Sequence, residues 1–273
     1  MTQWPRGPVR TSADVVVVGA GLAGLQATRH LVEAGFDVVV VEAGERVGGR
    51  MQTDEVDGFL LDHGFQLYNP AYPEGAKVLD HTSLDLKAFF PGAVLATEDG
   101  PRWMVDPRRA PRVGLRNVRL PLGVRGTVRT LEYITGCAVT DAREVEQRPD
   151  LSTREALEQA HLAGKATDLL LRPFLSGVLA DSELTTSRRF TDLVLRSLAR
   201  GTPAVPANGM QAIPDQLARP IRGHIFRSTK ALAVSPTGVE TDAGAIACDA
   251  VVVAADPATA ARLVPGVPTP RMR

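Results

Sequence analysis

The chain has 273 residues, 44% of them hydrophobic and 23% charged, and its 31 basic side chains balance 31 acidic ones. That is globular composition with room for one large domain or two modest ones, and no global charge recruits nucleic acid or an anionic membrane. Two cysteines far apart, Cys137 and Cys248, form neither a disulfide framework nor a metal spacing, so a reducing cytoplasm is the expected location.

The N-terminal segment MTQWPRGPVRTSA lacks the apolar centre of a signal peptide. No apolar run approaches the roughly 20 residues of a membrane helix, which leaves peripheral membrane contact open. From Asp14 the chain reads DVVVVG, a continuous β-branched run that suits a parallel strand covered on both faces. Gly19, Gly21 and Gly24 then follow as G-x-G-x-x-G, with Ala20, Leu22 and Ala23 between them. The first glycine permits a tight turn, the second a close approach to a pyrophosphate, and the third close packing of helix on strand. The helix that follows carries Ala23, Ala27 and Leu31 at four-residue spacing, with Leu25, Thr28 and Val32 beside them. Gly35 stands where a helix C-terminus takes a left-handed residue.

FDVVVVE is the next strand, and it ends on Glu42. A carboxylate roughly 20 residues beyond the glycines accepts hydrogen bonds from a ribose diol and repels a 2′-phosphate. A nucleotide site is therefore expected, and an NADP site is disfavoured. Directly after the acid comes a second glycine turn, Gly48-Gly49-Arg50. An NAD enzyme has no need of it. Two more glycines allow a second close approach to a ligand, and Arg50 offers a planar fork of donors to a pyrophosphate. A dinucleotide cradled by two loops points to FAD. The alternative is a surface turn with Arg50 solvated.

Beyond the turns, MQTDEV and FLLDHG flank Asp57-Gly58, a hairpin signal. PEGAKVLDH reads as a short helix. LDLKAFFPGAVLATEDGPRWMVD reads as two or three strands joined through Asp99-Gly100. From Pro107 to Arg200 the signals are helical. They include a capping box at Ser152 and Glu155 and amphipathic stretches in ATDLLLRPFLSGVLA and TSRRFTDLVLRSLAR. GTPAVPANG breaks the chain, and GMQAIPDQLARPI begins a last helix. Strands are expected near Ala231–Val234, Gly238–Thr241 and Ala250–Ala254.

The stretch from Val15 to Arg50 resembles the N-terminus of the flavin-containing amine oxidase and phytoene desaturase superfamily, as do GFLLDHGFQLYNPAYPE, NGMQAIPDQLAR, KALAVSPTGVETDAG and CDAVVVAADP. The resemblance implies an α/β fold: a Rossmann-like FAD-binding domain of the glutathione-reductase type with an inserted, mostly helical α+β substrate domain. The FAD-binding domain is expected over 1–75 and 205–273, and the substrate or cap domain over 76–204. It implies an FAD-dependent oxidoreductase that takes a hydride from a small or hydrophobic organic substrate. Carried over position by position, Gly19, Ala20, Gly21, Leu22, Ala23 and Gly24 hold the pyrophosphate. Glu42 with Ala43 takes the adenosine ribose, and Gly49 and Arg50 take the flavin side of the pyrophosphate. Gly64, Phe65, Gln66 and Leu67 run along the flavin ring. The main chain of Ala231 meets adenine.

The family's late Gly-Asp segment has no counterpart before Arg273. A chain lacking it is expected to bind FAD a hundredfold to ten-thousandfold more weakly, at about 1.5–3 kcal/mol for each of two lost charged hydrogen bonds. A catalytically silent module that needs a missing segment or a partner chain is the alternative.

No nucleophile–base pair, catalytic residue or metal set stands out, and flavin chemistry needs none. Eight arginines fall between Arg102 and Arg129, with Asp106 the sole acid among them. They suit either an anionic substrate or headgroup, or a solvated helix face. His63 either takes a proton or bonds locally. Cys248 is expected to pack in an apolar strand and Cys137 to follow a helix. Asp181 and Glu183 read as loop residues, not a catalytic pair.

Overall fold

The computed structural model describes residues 4, 5, 7–64, 66–106, 109, 110, 112, 122–162, 164 and 167–267. In chain order the first half holds β1 (Val15–Val18), α1 (Leu22–Glu33), β2 (Val38–Val41), β3 (Gln52–Val56), β4 (Phe59–His63), α2 (Pro73–Val78), α3 (His81–Leu84), β5 (Leu86–Ala88), β6 (Gly92–Thr97) and β7 (Gly100–Val105). Then come α4 (Gly123–Val139), α5 (Ala142–Gln147), α6 (Thr153–Gln159), a π turn at Thr167–Leu171, α7 (Arg172–Leu179) and α8 (Arg188–Arg200). The last part holds β8 (Ala204–Pro206), α9 (Ala212–Ala218), a 3-10 turn (Arg219–His224), β9 (Ile225–Phe226), β10 (Ala231–Ser235), β11 (Gly238–Thr241), β12 (Gly244–Ala247), β13 (Ala250–Val253) and α10 (Pro257–Leu263).

Two compact units divide the chain. One comprises Met1–Tyr68, Lys77–Lys87 and Val205–Arg273, and the other Asn69–Ala76 and Ala88–Ala204.

The first unit is built on a sheet ordered β13-β1-β2-β9, parallel throughout. The two valine runs lie side by side, Val15 against Val38 through Val18 against Val41. All eight valines are buried, because both faces of the sheet are covered. Val16, Val18, Val39 and Val41 pack on one face with Val239, Ile246 and Leu263. Val15, Val17, Val38 and Val40 pack on the other with Leu25, Leu217 and Ile221. Helix α1 faces this second layer through Gly24, Leu25 and Thr28, and Ala23 is exposed. The helix therefore presents a stripe one residue round from the one its alanines suggest. A second, three-stranded antiparallel sheet is ordered β10-β11-β12.

The β3–β4 hairpin turns at Asp57 and Gly58, with φ of 51° and 80°. Two positive φ values are what the two-residue hairpin turn with right-handed strand twist needs, which is why Asp-Gly stands there. Gly35, at φ 91°, closes the end of α1 as expected.

In the second unit β6 and β7 form an antiparallel hairpin, with Thr97 opposite Gly100. Helices α4, α6, α7 and α8 enclose an apolar core of Leu157, Leu162, Leu171, Leu175, Leu184 and Leu195. The capping box on α6 is formed: Ser152 accepts from the Glu155 amide, and the Glu155 carboxylate accepts from the Ser152 amide at 2.9 Å.

Several expectations are corrected. The helix begun by GMQAIPDQLARPI is not the last, because Pro257–Leu263 forms another, capped by Asp256 at the Ala258 and Thr259 amides. The short strands β9 and β12 were not anticipated; two and four residues leave little periodicity to read. Cys137 lies inside α4 rather than after it, since the helix continues to Val139. Of the basic run, Arg108, Arg116 and Arg119 lie outside the described residues, as does Phe65.

Candidate functional site

The C-terminal ends of β1 and β2 carry the two glycine turns, and the structure makes them one cradle. Glu42 joins them. Its Oε2 accepts the Ala20 amide at 2.7 Å and its Oε1 accepts the Gly44 amide at 2.7 Å. The Gly48 amide donates to the Ala20 carbonyl at 2.8 Å, and Gly21 and Gly48 form an isolated parallel bridge. The glycines are needed for different reasons. Gly19 has φ 104°, and a Cβ there would lie 2.8 Å from the Ala254 carbonyl oxygen. A Cβ at Gly24 would lie 1.9 Å from the Gly19 carbonyl oxygen. A Cβ at Gly48 would sit 2.4 Å from the Met51 carbonyl oxygen.

Gly21 is the exception. A Cβ there would meet no protein atom within 4 Å, so open space lies over the turn at that point. Gly21 also caps α1 with no side-chain hydrogen bond, which leaves the first helical amides, those of Leu22, Ala23 and Gly24, facing outward from the helix end. Amides at a helix N-terminus beside open space suit a phosphate. The carboxylate of Glu42 has used one lone pair on each oxygen and keeps a second on each for a diol. These residues fit a dinucleotide.

The second turn is held by residues that the sequence reading did not single out. The Gln211 amide donates to Thr53 Oγ1 at 2.9 Å, and the Gln211 side chain donates to the Val47 carbonyl at 3.0 Å. Asp62 Oδ1 accepts from the Met210 amide at 2.8 Å and from the Thr53 hydroxyl at 2.5 Å. A Cβ on Gly209 would strike Thr53 at 2.5 Å, which is why the segment NGMQ opens with glycine there. The one available signal was the polar pair Thr53 and Asp62, which stand opposite each other across the hairpin, Thr53 buried and Asp62 half-buried. Ser228 and Thr229 pass beside the acid, their amides donating to the carbonyls of Gly44 at 2.9 Å and Glu42 at 2.8 Å. Ala231, two residues on, is buried at the start of β10.

Ala43 and Gly49 are exposed in the cradle. Arg50 is exposed too, and its guanidinium makes no hydrogen bond or ion pair among the described residues. Gly64, at φ 76°, lies against the Arg50 carbonyl. Gln66 is exposed and Leu67 half-buried. His63 bonds locally: its Nε2 lies 2.6 Å from Asp54 Oδ2, and His63 with Arg46 holds the Asp54 carboxyl below its ordinary range. Asp181 accepts from the Thr186 and Glu183 amides and from two threonine hydroxyls, a loop anchor. No cluster of metal-ligating side chains occurs among the described residues.

The family model described as "Flavin containing amine oxidoreductase" matches residues 22–273. The chain belongs to the flavin-containing amine oxidoreductases. Putrescine oxidase from Kocuria rosea is 50% identical over 72 residues, 26% of this chain and 15% of that enzyme. A carotenoid 3,4-desaturase from Haloarcula japonica is 49% identical over 55 residues, 20% of this chain and 11% of that protein. Among solved structures, putrescine oxidase bound to putrescine superposes with a TM-score of 0.69 at 21% identity, covering 93% of this chain. A putative protoporphyrinogen oxidase from Exiguobacterium sp. 255-15 superposes at 0.62 and 20% identity, covering 95%. These likenesses share the fold. This chain spans 60% of the solved putrescine oxidase chain. The cofactor of this flavin-containing family and dinucleotide fold is FAD. No helix among the described residues is long and apolar enough to cross a membrane.

Proposed function

We propose that this chain is an FAD-dependent oxidoreductase whose cofactor sits in the cradle formed by the two glycine turns. The observation that carries the reading is the Glu42 carboxylate, held between the Ala20 and Gly44 amides at the edge of open space over Gly21. When bound, FAD supplies a ring that takes up a hydride from an organic substrate. The chain's own residues bind and orient it. The amides of Gly19 to Gly24 receive the pyrophosphate at the start of α1. Glu42 accepts the ribose hydroxyls, with Ala43 beside it. Gly49 and Arg50 approach the flavin side of the pyrophosphate, and Gly64 to Leu67 follow the ring. The Ala231 main chain meets adenine. The first unit is the FAD-binding domain, and the second, mostly helical unit shapes substrate access. We place the enzyme in the cytoplasm.

The substrate is a small or hydrophobic organic molecule with a C–H bond open to hydride removal, as in amine oxidation or desaturation. No observation favours a silent module instead. The test is FAD titration followed by anaerobic mixing with panels of amines and of polyenes. Bleaching of the bound flavin by one panel fixes the class. A protein that binds FAD and is bleached by neither panel would refute the substrate assignment. Glu42→Ala should weaken FAD binding by about tenfold to a hundredfold. An unchanged titration would remove Glu42 from the site.

A further inference from the structure

The second unit holds a cavity of about 320 Å³ that the flavin reading does not use. Its walls include Arg129, Glu132, Tyr133, Cys137, Arg148 and Arg188, from α4, from the start of α8 and from the loop after α5. Behind it lies Asp192, fully buried. Asp192 is well supplied. Its Oδ1 accepts the Tyr133 hydroxyl at 2.7 Å and the Cys137 thiol at 3.5 Å, and its Oδ2 accepts Arg148 Nη1 at 2.8 Å. Arg148 also donates to Thr140 Oγ1 at 2.9 Å, and Arg129 is paired with Glu132 at 3.2 Å.

Arg188 is different. Its Nε lies 3.4 Å from Asp192 Oδ2, close enough for attraction but without a hydrogen bond. That Nε is buried with no hydrogen-bond partner among the described residues. Arg188 lines the cavity, and beyond its attraction to Asp192 its guanidinium makes no hydrogen bond among the described residues. Among these groups the charges do not balance. Arg129, Arg148 and Arg188 bring three positive charges against two negative ones, on Glu132 and Asp192. The Tyr133 ring and Ala160 add apolar wall.

We propose that this cavity binds a small monocarboxylate, its anionic group paired with the Arg188 guanidinium and its apolar body against Tyr133 and Ala160. One uncompensated positive charge matches one carboxylate, and an unspent planar fork is the donor set that a carboxylate takes bidentately. The volume suits a short chain, at the low end of small-molecule sites. The neighbouring thiol is not the reactive group, since burial and then Asp192 push Cys137 up to about 12.

The probe is butyrate, with butyramide as its uncharged equal in shape. Calorimetry on the full chain should show one butyrate bound per chain and butyramide bound at least about tenfold more weakly. Arg188→Met should weaken butyrate at least about tenfold, while Arg188→Lys, which keeps the charge and loses the fork, should fall between. Should Arg188→Met fail to fold, the butyramide comparison on the native chain and Arg188→Lys decide. Equal binding of butyrate and butyramide, or unchanged affinity in either Arg188 variant, overturns the proposal. Tighter binding of inorganic phosphate than of butyrate overturns the carboxylate assignment. Failure here leaves the flavin reading intact, because the variant lies in the other unit from the glycine cradle.

Discussion

Each unit contains a carboxylate that organises its surroundings, and the two are satisfied by different kinds of donor. Glu42 is held by backbone amides, those of Ala20 and Gly44, each at 2.7 Å. Asp192 is held by side chains, the Tyr133 hydroxyl, the Cys137 thiol and the Arg148 guanidinium, with Arg188 close by. A site built from main chain needs glycines at set positions, because only glycine lets backbone approach backbone that closely. The site built from side chains draws on α4, on α8 and on the loop between α5 and α6, segments far apart in the chain.

The largest expected effect breaks the side-chain site. Asp192→Ala leaves Arg148 and Arg188 without their buried counter-charge, so it should cost about 3–5 kcal/mol in denaturant unfolding. A loss under about 1 kcal/mol would mean that Asp192 is not the anchor of this helical unit. The backbone site comes next. Gly24→Ala pushes a methyl into the Gly19 carbonyl, at 1.9 Å before any relaxation, and should cost about 3 kcal/mol. Because the same contact seats the first turn, FAD affinity should fall with it. Gly21→Ala meets no atom of the protein. It should leave stability nearly unchanged and weaken FAD selectively. Equal losses of stability at Gly21 and Gly24 would erase the distinction between packing glycine and binding glycine.

That contrast explains what the sequence revealed. The valine runs, the glycine spacing and Glu42 are all local consequences of backbone packing, and each was readable as it stands. The Asp57-Gly58 turn and the Ser152 capping box were readable for the same reason. What escaped was assembled over distance. The sequence showed the two glycine turns as separate loops, and nothing in it announced that Gly48 donates to Ala20. Gln211 supports the second turn from 158 positions beyond Thr53 and 164 beyond Val47. The cavity at Arg188 joins residues from α4, α8 and the segment between them, and among the described residues the basic run that was visible as a pattern supplies only Arg129 to it. Cys137 looked like a residue past the end of a helix because Thr135 and Gly136 weaken the helical signal there.

Smaller effects sharpen the comparison. Ser152→Ala removes the cap of α6 and should cost about 1 kcal/mol, measured by the same unfolding series. The loop at Asp181 carries a pH signature. Burial alone would raise its carboxyl, but bonds from the Thr186 amide and hydroxyl, the Thr185 hydroxyl and the Glu183 amide outweigh it, and it is lowered to about 2. A carboxyl lower in the folded chain than in the unfolded one stabilises fully above the unfolded value near 3.9. That contribution is lost as pH falls from there toward 2. Asp181→Asn should therefore flatten the acid limb of the stability curve in that window and change its shape little at neutral pH. An acid limb of the same slope in the variant would assign the loss to other carboxylates.

The central claim is that two glycine turns and one acid make a working FAD cradle in this chain. The most direct test is a visible absorption spectrum of the purified protein after FAD is added and the excess removed. The account predicts a retained flavin spectrum, shifted from that of free FAD and lost in Glu42→Ala at the same concentrations. A folded protein that stays colourless would contradict it.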